Sequence, residues 1–538
     1  MNNLAGPRVM VAIVSILSVP LAFMLGNSVA SGSTKPVVLL GGIIVLGVLL
    51  LGIPQWLWIF AVGSIFVPGQ LTALPLPFKP MELILMLVMA RYVVDDVILK
   101  KRGLSLGPSP DKFFVVGLFL VMLYHGFQDR FAMRMLGSDT WGGRAYVSLI
   151  IAFLAYFVVQ STALNPKIFR HLPTIVVLFG AIDFSFNLIT MAFPQTAMFL
   201  SKFYSNVTFE STAVFSQRWG FAGNFGYLLL FWSLADCRIQ DFLLKGRFFK
   251  AAVFALGIVL CLASGYRSTV AVGALIVGVA AFRDFGLSGT LAVLPLTLLF
   301  GSLVFLNSMG MQLPQRIQRG LTWLPGTWDQ AASADATGSL DFRSEVWQAW
   351  RENEFPKQPL LGRGLGLKVE DMLATLPFTS ESGDPFAATI SKYTRNDAFV
   401  ISGNIHHGFY SVVDRFGLVG AVCFVGWTFY ALRRIFLHLL SARKEKMDPA
   451  LQWLGLYIFA FTIAFPIGAL RAENFLVTQL FLTGLFLGLV KAKQDALNLT
   501  KANTAAPVQP IVPLVQSTHP GRIRPQPNGG VTGTPATS

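Results

Sequence analysis

Residues 404–434 read NIHHGFYSVVDRFGLVGAVCFVGWTFYALRR, a polar entrance followed by a long apolar run and a basic end. The apolar run, 408–432, is longer than the roughly 20 residues with which a helix crosses a lipid bilayer. It ends at Arg433 and Arg434, and basic residues of this kind mark the ends of membrane helices. We therefore predict a transmembrane helix here.

Apolar runs of similar length recur along the 538-residue chain, in which only 13% of the residues are charged, against about 25% in soluble domains. The runs that are long enough, or nearly so, to span a bilayer are 8–30, 36–52, 53–67, 81–99, 112–127, 144–163, 172–193, 219–236, 248–264, 266–282, 287–306, 408–432, 450–469 and 473–490. The stretch GIPQW, 52–56, separates the short second and third runs, which could instead form one re-entrant hairpin. We predict an all-α fold, a polytopic membrane helix bundle of about 12–14 transmembrane helices in a lipid bilayer.

Basic residues predict the orientation of this bundle. If the N-terminus is cytoplasmic, the cytoplasmic connections contain 17 Lys or Arg, against 9 in the short connections on the other side. The one long connection, 307–405, then lies on the outer face and contains 9 basic and 11 acidic residues. Residues 1–30 could alternatively be a cleaved secretory signal, which would not change this sidedness.

Four regions follow from the predicted topology. They are N-terminal transmembrane helices at 1–306, a large, partly helical outer loop at 307–405, C-terminal transmembrane helices at 406–490 and a cytoplasmic tail at 491–538. The tail is rich in Pro, Gly, Thr and Ser, so it cannot bury a core and is predicted to be disordered. The formal net charge of +15 does not predict a nucleic-acid partner, because the basic residues lie mostly at the ends of apolar runs.

Several familiar catalytic motifs are missing from the sequence. It contains no GxxxxGK[ST] loop, no Asp-x-Asp pair, and neither HExxH nor a spaced His/Cys set. These absences disfavour an ATP-driven motor, a metal-dependent transferase that uses nucleotide sugars, and a zinc enzyme. We predict no cofactor and no metal. An enzyme of this composition would use arginines, carboxylates, and His406 or His407 on the outer face.

Two arginines lie at predicted outer helix starts. Arg267, in LASGYRSTVAVG, has Gly and Ser neighbours that leave room for a ligand, although an arginine at this boundary could simply extend to the membrane surface. Arg218, in SQRWGFAGNFGYLLL, is equally well interpreted as an interfacial arginine beside a tryptophan.

The segment DFRSEVWQAWRENEFPKQPLLGRGLG, 341–366, predicts an amphipathic helix in the outer loop. Arg343, Trp347 and Trp350 are spaced so that they share one helical face. The tryptophans could pack this face on the bundle, or Arg343 could bind a ligand. The glycine turn that follows is weak evidence for phosphate binding, since no strand precedes it.

Asp414 and Arg415 are ionisable residues inside an apolar run. Each such group costs a few kcal/mol in a bilayer unless it pairs or faces the bundle interior. We therefore predict that they face protein and water in a polar cleft that is open to the outside. His406 and His407 would lie at its entrance, although a polar pair at a helix start is the plainer interpretation of these histidines.

Three segments together resemble the superfamily of O-antigen ligases and O-antigen polymerases, polytopic inner-membrane glycosyltransferases with one large periplasmic loop. The segments are SGYRS (264–268), FRSEVWQAWRENEFPKQPLLGRGLG (342–366) and HHGFYSVVDRFGLVG (406–420). They are similar to the superfamily's Ser-Gly-Ser-Arg, to its Arg followed by Trp and Pro-Leu-Leu-Gly-x-Gly, and to its His-Asn followed by Gly-Leu-x-Gly. As in that last motif, His406 precedes Gly417 by eleven residues.

The resemblance covers roughly residues 216–425, and it includes departures. Tyr266 stands where the superfamily usually has Ser, and His407 stands where it usually has Asn. Arg363 lies inside the glycine turn. Residues 216–226 match the superfamily's Arg and Asn segment only loosely.

The resemblance implies a membrane-embedded inverting glycosyltransferase that needs no metal. Its donor would be a glycan on undecaprenyl diphosphate, and its acceptor would be the lipid A core or a growing polysaccharide. It also implies a bacterial inner membrane, with both termini cytoplasmic and the large loop periplasmic. An exopolysaccharide or O-antigen polymerase is the alternative, since only the acceptor differs.

The resemblance also implies roles for individual residues. Arg267 and Arg343 would bind the diphosphate, for which guanidinium groups are suited because they bind phosphate in a bidentate way. His406 would be the catalytic base or would orient the acceptor. Residues that could support or replace these are Arg218, Asp341, Glu345, Asp414 and Arg415. A secondary transporter or flippase is the competing class, supported by helix number and hydrophobicity alone.

Overall fold

The computed structural model describes residues 54–67, 69, 78–93, 109–133, 136, 138, 140–193, 195–196, 219–368, 400–401, 403, 405–441, 447–468 and 471–505. The chain divides into two units, Met1–Lys493 and Gln494–Ser538. Several predictions lie outside the described residues: the runs 8–30 and 36–52, the alternative signal segment, Arg218, and the tail beyond residue 505. The prediction of a disordered tail from residue 491 is wrong for residues 491–505, which continue the last helix, Ala472–Ala505.

Helices make up most of the described chain. In chain order they are α1 (Pro54–Ser64), α2 (Pro80–Tyr92), α3 (Pro110–Gln128), α4 (Gly143–Ser161), α5 (Pro166–Phe169), α6 (Leu172–Ala192), α7 (Gly220–Ala235), α8 (Asp241–Leu244), α9 (Phe248–Ala263), α10 (Arg267–Phe285), α11 (Thr290–Ser308), α12 (Gln315–Leu321), α13 (Gln330–Ala349), α14 (Gly408–Ser441), α15 (Pro449–Ala464) and α16 (Ala472–Ala505). Two strands of two residues each, β1 (Thr140–Trp141) and β2 (Leu367–Lys368), pair antiparallel. The prediction of an all-α polytopic bundle is confirmed.

Six of the described helices are long and apolar enough to cross a membrane. They are α3, α4, α6, α10, α14 and the Ala472–Asn498 part of α16. Four shorter apolar helices, at Gly220–Ala235, Phe248–Ala263, Leu298–Ser308 and Pro449–Ala464, coincide with predicted runs. The protein is therefore a multi-pass membrane protein, and its natural surroundings are a lipid bilayer.

The helices differ in how much of their surface the bundle covers. In α16, 78% of the apolar window is buried, whereas in α6 only 17% is buried. Because α6 exposes side chains such as Leu178 and Ile182, it lies at the periphery, where these side chains meet lipid. α16 is central, and a Cβ at its Gly484 would lie 2.9 Å from the carbonyl oxygen of Tyr156 in α4. Small residues of this kind allow membrane helices to pack closely.

A kink in α14 determines how the outer loop meets the bundle. Gly417 has φ +64°, a conformation that interrupts the helical hydrogen bonds and favours glycine. The loop segment 359–366 lies in this gap. The amides of Leu418 and Val419 donate to the carbonyl oxygens of Pro359 and Leu360, at 2.9 and 3.0 Å. The glycine turn thus supplies backbone partners that the kinked helix lacks.

Candidate active site

The predicted site residues come together where α13 crosses the starts of α10 and α14. Arg267 is the first residue of α10, and its Nη2 donates to the carbonyl oxygen of Ala336 in α13, at 2.9 Å. The α9–α10 turn is itself tied to the start of α7, because the amide of Trp219 donates to the carbonyl oxygen of Ser264. These contacts direct Arg267 towards α13.

Arg343, on α13, lies close to Arg267. Burial lowers the pKa of Arg343, and the positive charge of Arg267 lowers it further. In the part of the chain that the structure describes, no carboxylate forms an ion pair with Arg343. Asp341 and Glu345 are exposed on the same helix. Two guanidinium groups that repel one another would gain stability from an anion bound between them.

His406 lies beside Arg343, in the residues that lead into α14. Its ring meets the edge of Phe342 with 5.9 Å between centroids, and its backbone has φ +54°, which is uncommon outside glycine. The indole nitrogen of Trp347 donates to the neighbouring carbonyl oxygen of Ile405, at 2.9 Å. The helix that carries Arg343 therefore also holds the backbone at His406.

The charge around His406 favours its neutral form. Burial lowers its pKa, and the positive charges of Arg343 and then Arg471 lower it further. Because an unperturbed histidine has a pKa near 6.5, a lowered value leaves the imidazole neutral at neutral pH. A neutral imidazole can accept a proton.

Arg471 is a site residue that sequence reasoning missed. It directly precedes α16, and the amide of the next residue, Ala472, donates to the hydroxyl of Ser411 in α14, at 2.9 Å. This contact holds the starts of α14 and α16 together. Nothing in the stretch RAENF distinguishes Arg471 from an ordinary interfacial arginine, so its closeness to His406 emerges only from the packing. We call Arg267, Arg343, His406 and Arg471 the cationic cluster.

His407 has a different role from His406. Its Nδ1 accepts a hydrogen bond from the amide of Tyr410, at 3.2 Å, which caps the start of α14. The His407 ring stacks on that of Tyr410 with 4.0 Å between centroids and meets Trp347 edge-on at 5.2 Å. These contacts explain His407 as a residue that stabilises the helix start.

Asp414 and Arg415 do not line the predicted open cleft. They are only 6% and 3% exposed, because the glycine turn covers them. Asp414 Oδ2 accepts from Arg363 at 2.8 Å, and Asp414 Oδ1 accepts from the indole nitrogen of Trp350 at 3.0 Å. Arg415 Nη1 donates to the carbonyl oxygen of Gly364 at 3.0 Å. We call Arg363, Asp414 and Arg415 the ion cluster; it joins the outer loop to α14.

No protein-family model matches the chain, and no curated protein shows significant similarity to it. Among the described residues, no group of three or more His, Cys, Asp or Glu side chains is placed to hold a metal ion. What the cationic cluster offers is positive charge from three guanidinium groups beside a histidine that favours its neutral form. Such a site can bind an oxyanion and accept a proton next to it.

Proposed function

We propose that the protein is a membrane-embedded glycosyltransferase of the O-antigen ligase type. It transfers a glycan from undecaprenyl diphosphate to the lipid A core or to a growing polysaccharide. The observation that carries the proposal is the cationic cluster, in which Arg343 and Arg471 lie near His406 and Arg267 lies near Arg343. The site lies where the loop meets the ends of apolar helices, so a lipid-linked donor could reach it from the bilayer.

The arginines suit a diphosphate leaving group. When the bond between the anomeric carbon and the diphosphate oxygen breaks, its electron pair stays on the diphosphate. Arg267, Arg343 and Arg471 would stabilise this developing negative charge. Because the cations already repel one another in the unliganded protein, the diphosphate also relieves an unfavourable arrangement.

His406 suits the acceptor side of the reaction. The acceptor hydroxyl attacks the anomeric carbon from the face opposite the diphosphate, and its proton passes to the imidazole. One displacement of this kind inverts the configuration at that carbon. The imidazole must be neutral to take the proton, which agrees with the lowered pKa of His406.

The proposed sidedness follows from the distribution of basic residues. The cationic cluster would face the periplasm, and both termini would lie in the cytoplasm of a bacterium, with the bundle in the inner membrane. The carboxylates Asp341 and Glu345 remain alternative bases, since they occupy the helix that carries Arg343.

Reconstitution in liposomes tests the proposal. The purified protein receives an undecaprenyl-diphosphate-linked glycan and either a lipid A core or a second glycan chain, and the product is analysed by mass. Arg267→Ala and Arg343→Ala should each lower transfer by about 10²–10³-fold. Arg351→Ala is the matched control, because Arg351 is exposed just beyond the same helix. Full transfer by both cluster variants would contradict the proposal, and the product identifies the acceptor. Movement of the donor across the bilayer without transfer would instead indicate a flippase.

A further inference from the structure

A second group of polar side chains collects where the starts of α2, α4 and α16 meet. Lys79 directly precedes α2, Arg144 is the second residue of α4, and Glu473 and Asn474 lie in the first turn of α16. The ammonium of Lys79 donates to the amide oxygen of Asn474, at 3.4 Å. Three helices that are distant in sequence therefore contribute to one polar surface.

Glu82 forms the base of this surface. It is 1% exposed, and its Oε2 accepts from the backbone amide of Lys79 at 2.8 Å. Its Oε1 accepts from the hydroxyl of Ser148, and Arg144 Nη2 lies 3.6 Å from its Oε2. These contacts hold α2 against α4 and fix the carboxylate in place.

Other polar atoms of the group are enclosed but not satisfied. Within the described chain, Nη1 and Nη2 of Arg144 and Oε2 of Glu473 have no hydrogen-bond partner. Enclosed polar atoms without partners are unfavourable, and in native proteins they are rare. Arg144 and Glu473 therefore have unused hydrogen-bonding capacity just beneath the surface, and the exposed Asn474 forms its accessible edge.

The charges of this group differ from those of the cationic cluster. Lys79 and Arg144 are balanced by Glu82 and Glu473, so the group does not favour an anion. Alternating donors and acceptors match the hydroxyl groups of a sugar ring, each of which both donates and accepts hydrogen bonds. Glu473 lies two residues from Arg471, so the two groups adjoin one another.

We propose that Lys79, Arg144, Glu473 and Asn474 form the acceptor subsite and that they bind the hydroxyl groups of an uncharged sugar. This inference rests on the proposed function and extends that function by naming the class of acceptor. The donor diphosphate occupies the cationic cluster, and the acceptor sugar lies against the starts of α2, α4 and α16. A phosphorylated or acidic sugar gains no net attraction here, because Glu82 and Glu473 offset the charges of Lys79 and Arg144.

Binding can be tested without any transfer reaction. Saturation-transfer NMR on the purified full chain would use the methyl glycosides of glucose, galactose and mannose, with glucuronate and glucose 6-phosphate as charged counterparts. At least one uncharged glycoside should give a signal. The charged sugars can also bind the cationic cluster, so any signal that they give should be unchanged in Glu473→Gln and Arg144→Gln. Glu473→Gln and Arg144→Gln should each weaken that binding by about tenfold, the effect of one lost hydrogen bond to a charged group.

Control variants and kinetics separate this inference from the proposed function. Glu352→Gln and Arg351→Gln change exposed residues of the same types and should leave sugar binding unchanged. In the transfer assay, Glu473→Gln should raise the acceptor KM by about tenfold and leave the donor KM within about twofold. If Glu473→Gln is poorly folded, Asn474→Ala at the exposed edge provides the same measurement.

The outcomes are distinct. Sugar binding with no transfer by the native protein would overturn the proposed function and keep the subsite. Transfer by the native protein with an acceptor KM that is the same in Glu473→Gln, Arg144→Gln and Asn474→Ala would overturn the subsite and keep the function. Binding of the uncharged glycosides that is the same in the native protein, Glu473→Gln and Arg144→Gln would also overturn the subsite.

Discussion

The cationic cluster and the ion cluster adjoin one another, and their arginines differ in the charge of their neighbours. In the ion cluster, Arg363 and Arg415 lie beside the carboxylate of Asp414, and they also donate to backbone carbonyl oxygens. In the cationic cluster, the charges of Arg267 and Arg343 repel one another. The first arrangement places a carboxylate between its cations, whereas the second would gain stability from a bound anion.

This contrast distinguishes arginines that stabilise the fold from arginines that are placed to bind a ligand. A buried arginine with a carboxylate partner and carbonyl acceptors holds two segments together, and removing its partner is costly. Half-buried cations that lie close together weaken the fold slightly, and such arrangements are typical of sites that bind anions. Variants of the two clusters should therefore differ in which property they change, stability or activity.

The largest effect is expected from Asp414→Asn. This change keeps the shape of the side chain but removes the carboxylate that pairs with Arg363 and Arg415, so that Arg415 keeps the weaker attraction of Glu473. We expect a loss of about 3–5 kcal/mol in the free energy of unfolding, and therefore little folded protein. Thermal unfolding in detergent measures it, with the exposed Glu352→Gln as control. An unchanged midpoint would show that the ion cluster does not hold the loop on α14.

His406→Gln should change activity and not stability. Loss of a general base lowers the rate by about 10²–10⁴-fold, and the half-buried side chain leaves the packing of α14 largely intact. Transfer in liposomes and thermal unfolding would be measured on the same preparation. If Asp341→Asn or Glu345→Gln lowers the rate as much while His406→Gln does not, the base is a loop carboxylate.

Sequence patterns predicted those features of the two clusters that depend on residues close together in the chain. Helical spacing placed Arg343, Trp347 and Trp350 on one face, and in the structure all three point to the residues around His406 and Asp414. Apolar run length likewise predicted the six described helices that are long enough to cross a membrane, because burial in lipid demands a continuous apolar helix.

Contacts between segments that are distant in sequence were not predictable from helical spacing or from apolar run length. Arg471 approaches His406 because helices pack side by side, and Arg363 reaches Asp414 because the glycine turn packs into the kink of α14. No periodicity encodes either contact. The cost of a charge in lipid correctly indicated that Asp414 and Arg415 face protein. It could not show that a glycine turn covers them, which is why the predicted open cleft is absent at this position.

Arg471→Gln should alter the pH dependence of transfer. His406 accepts a proton only when neutral, so the rate falls as the pH drops through its pKa. The charge of Arg471 lowers that pKa, so its removal raises the pKa, and the fall begins at a higher pH. The maximal rate should also drop by about tenfold through the lost diphosphate contact. Initial rates between about pH 5 and pH 8 measure both effects. A lower rate with the acid limb unmoved would assign Arg471 to the diphosphate alone.

The smallest effect is expected from Trp347→Phe. Phenylalanine keeps the aromatic contact with His407 but cannot donate to the carbonyl oxygen of Ile405, so the backbone at His406 loses one support for its positive φ. One hydrogen bond contributes about 1 kcal/mol, which corresponds to about a fivefold lower kcat with an unchanged donor KM. Trp323→Phe, at an exposed tryptophan outside both clusters, is the matched control. If the two variants were equally active, α13 would contribute Arg343 to the site without positioning His406.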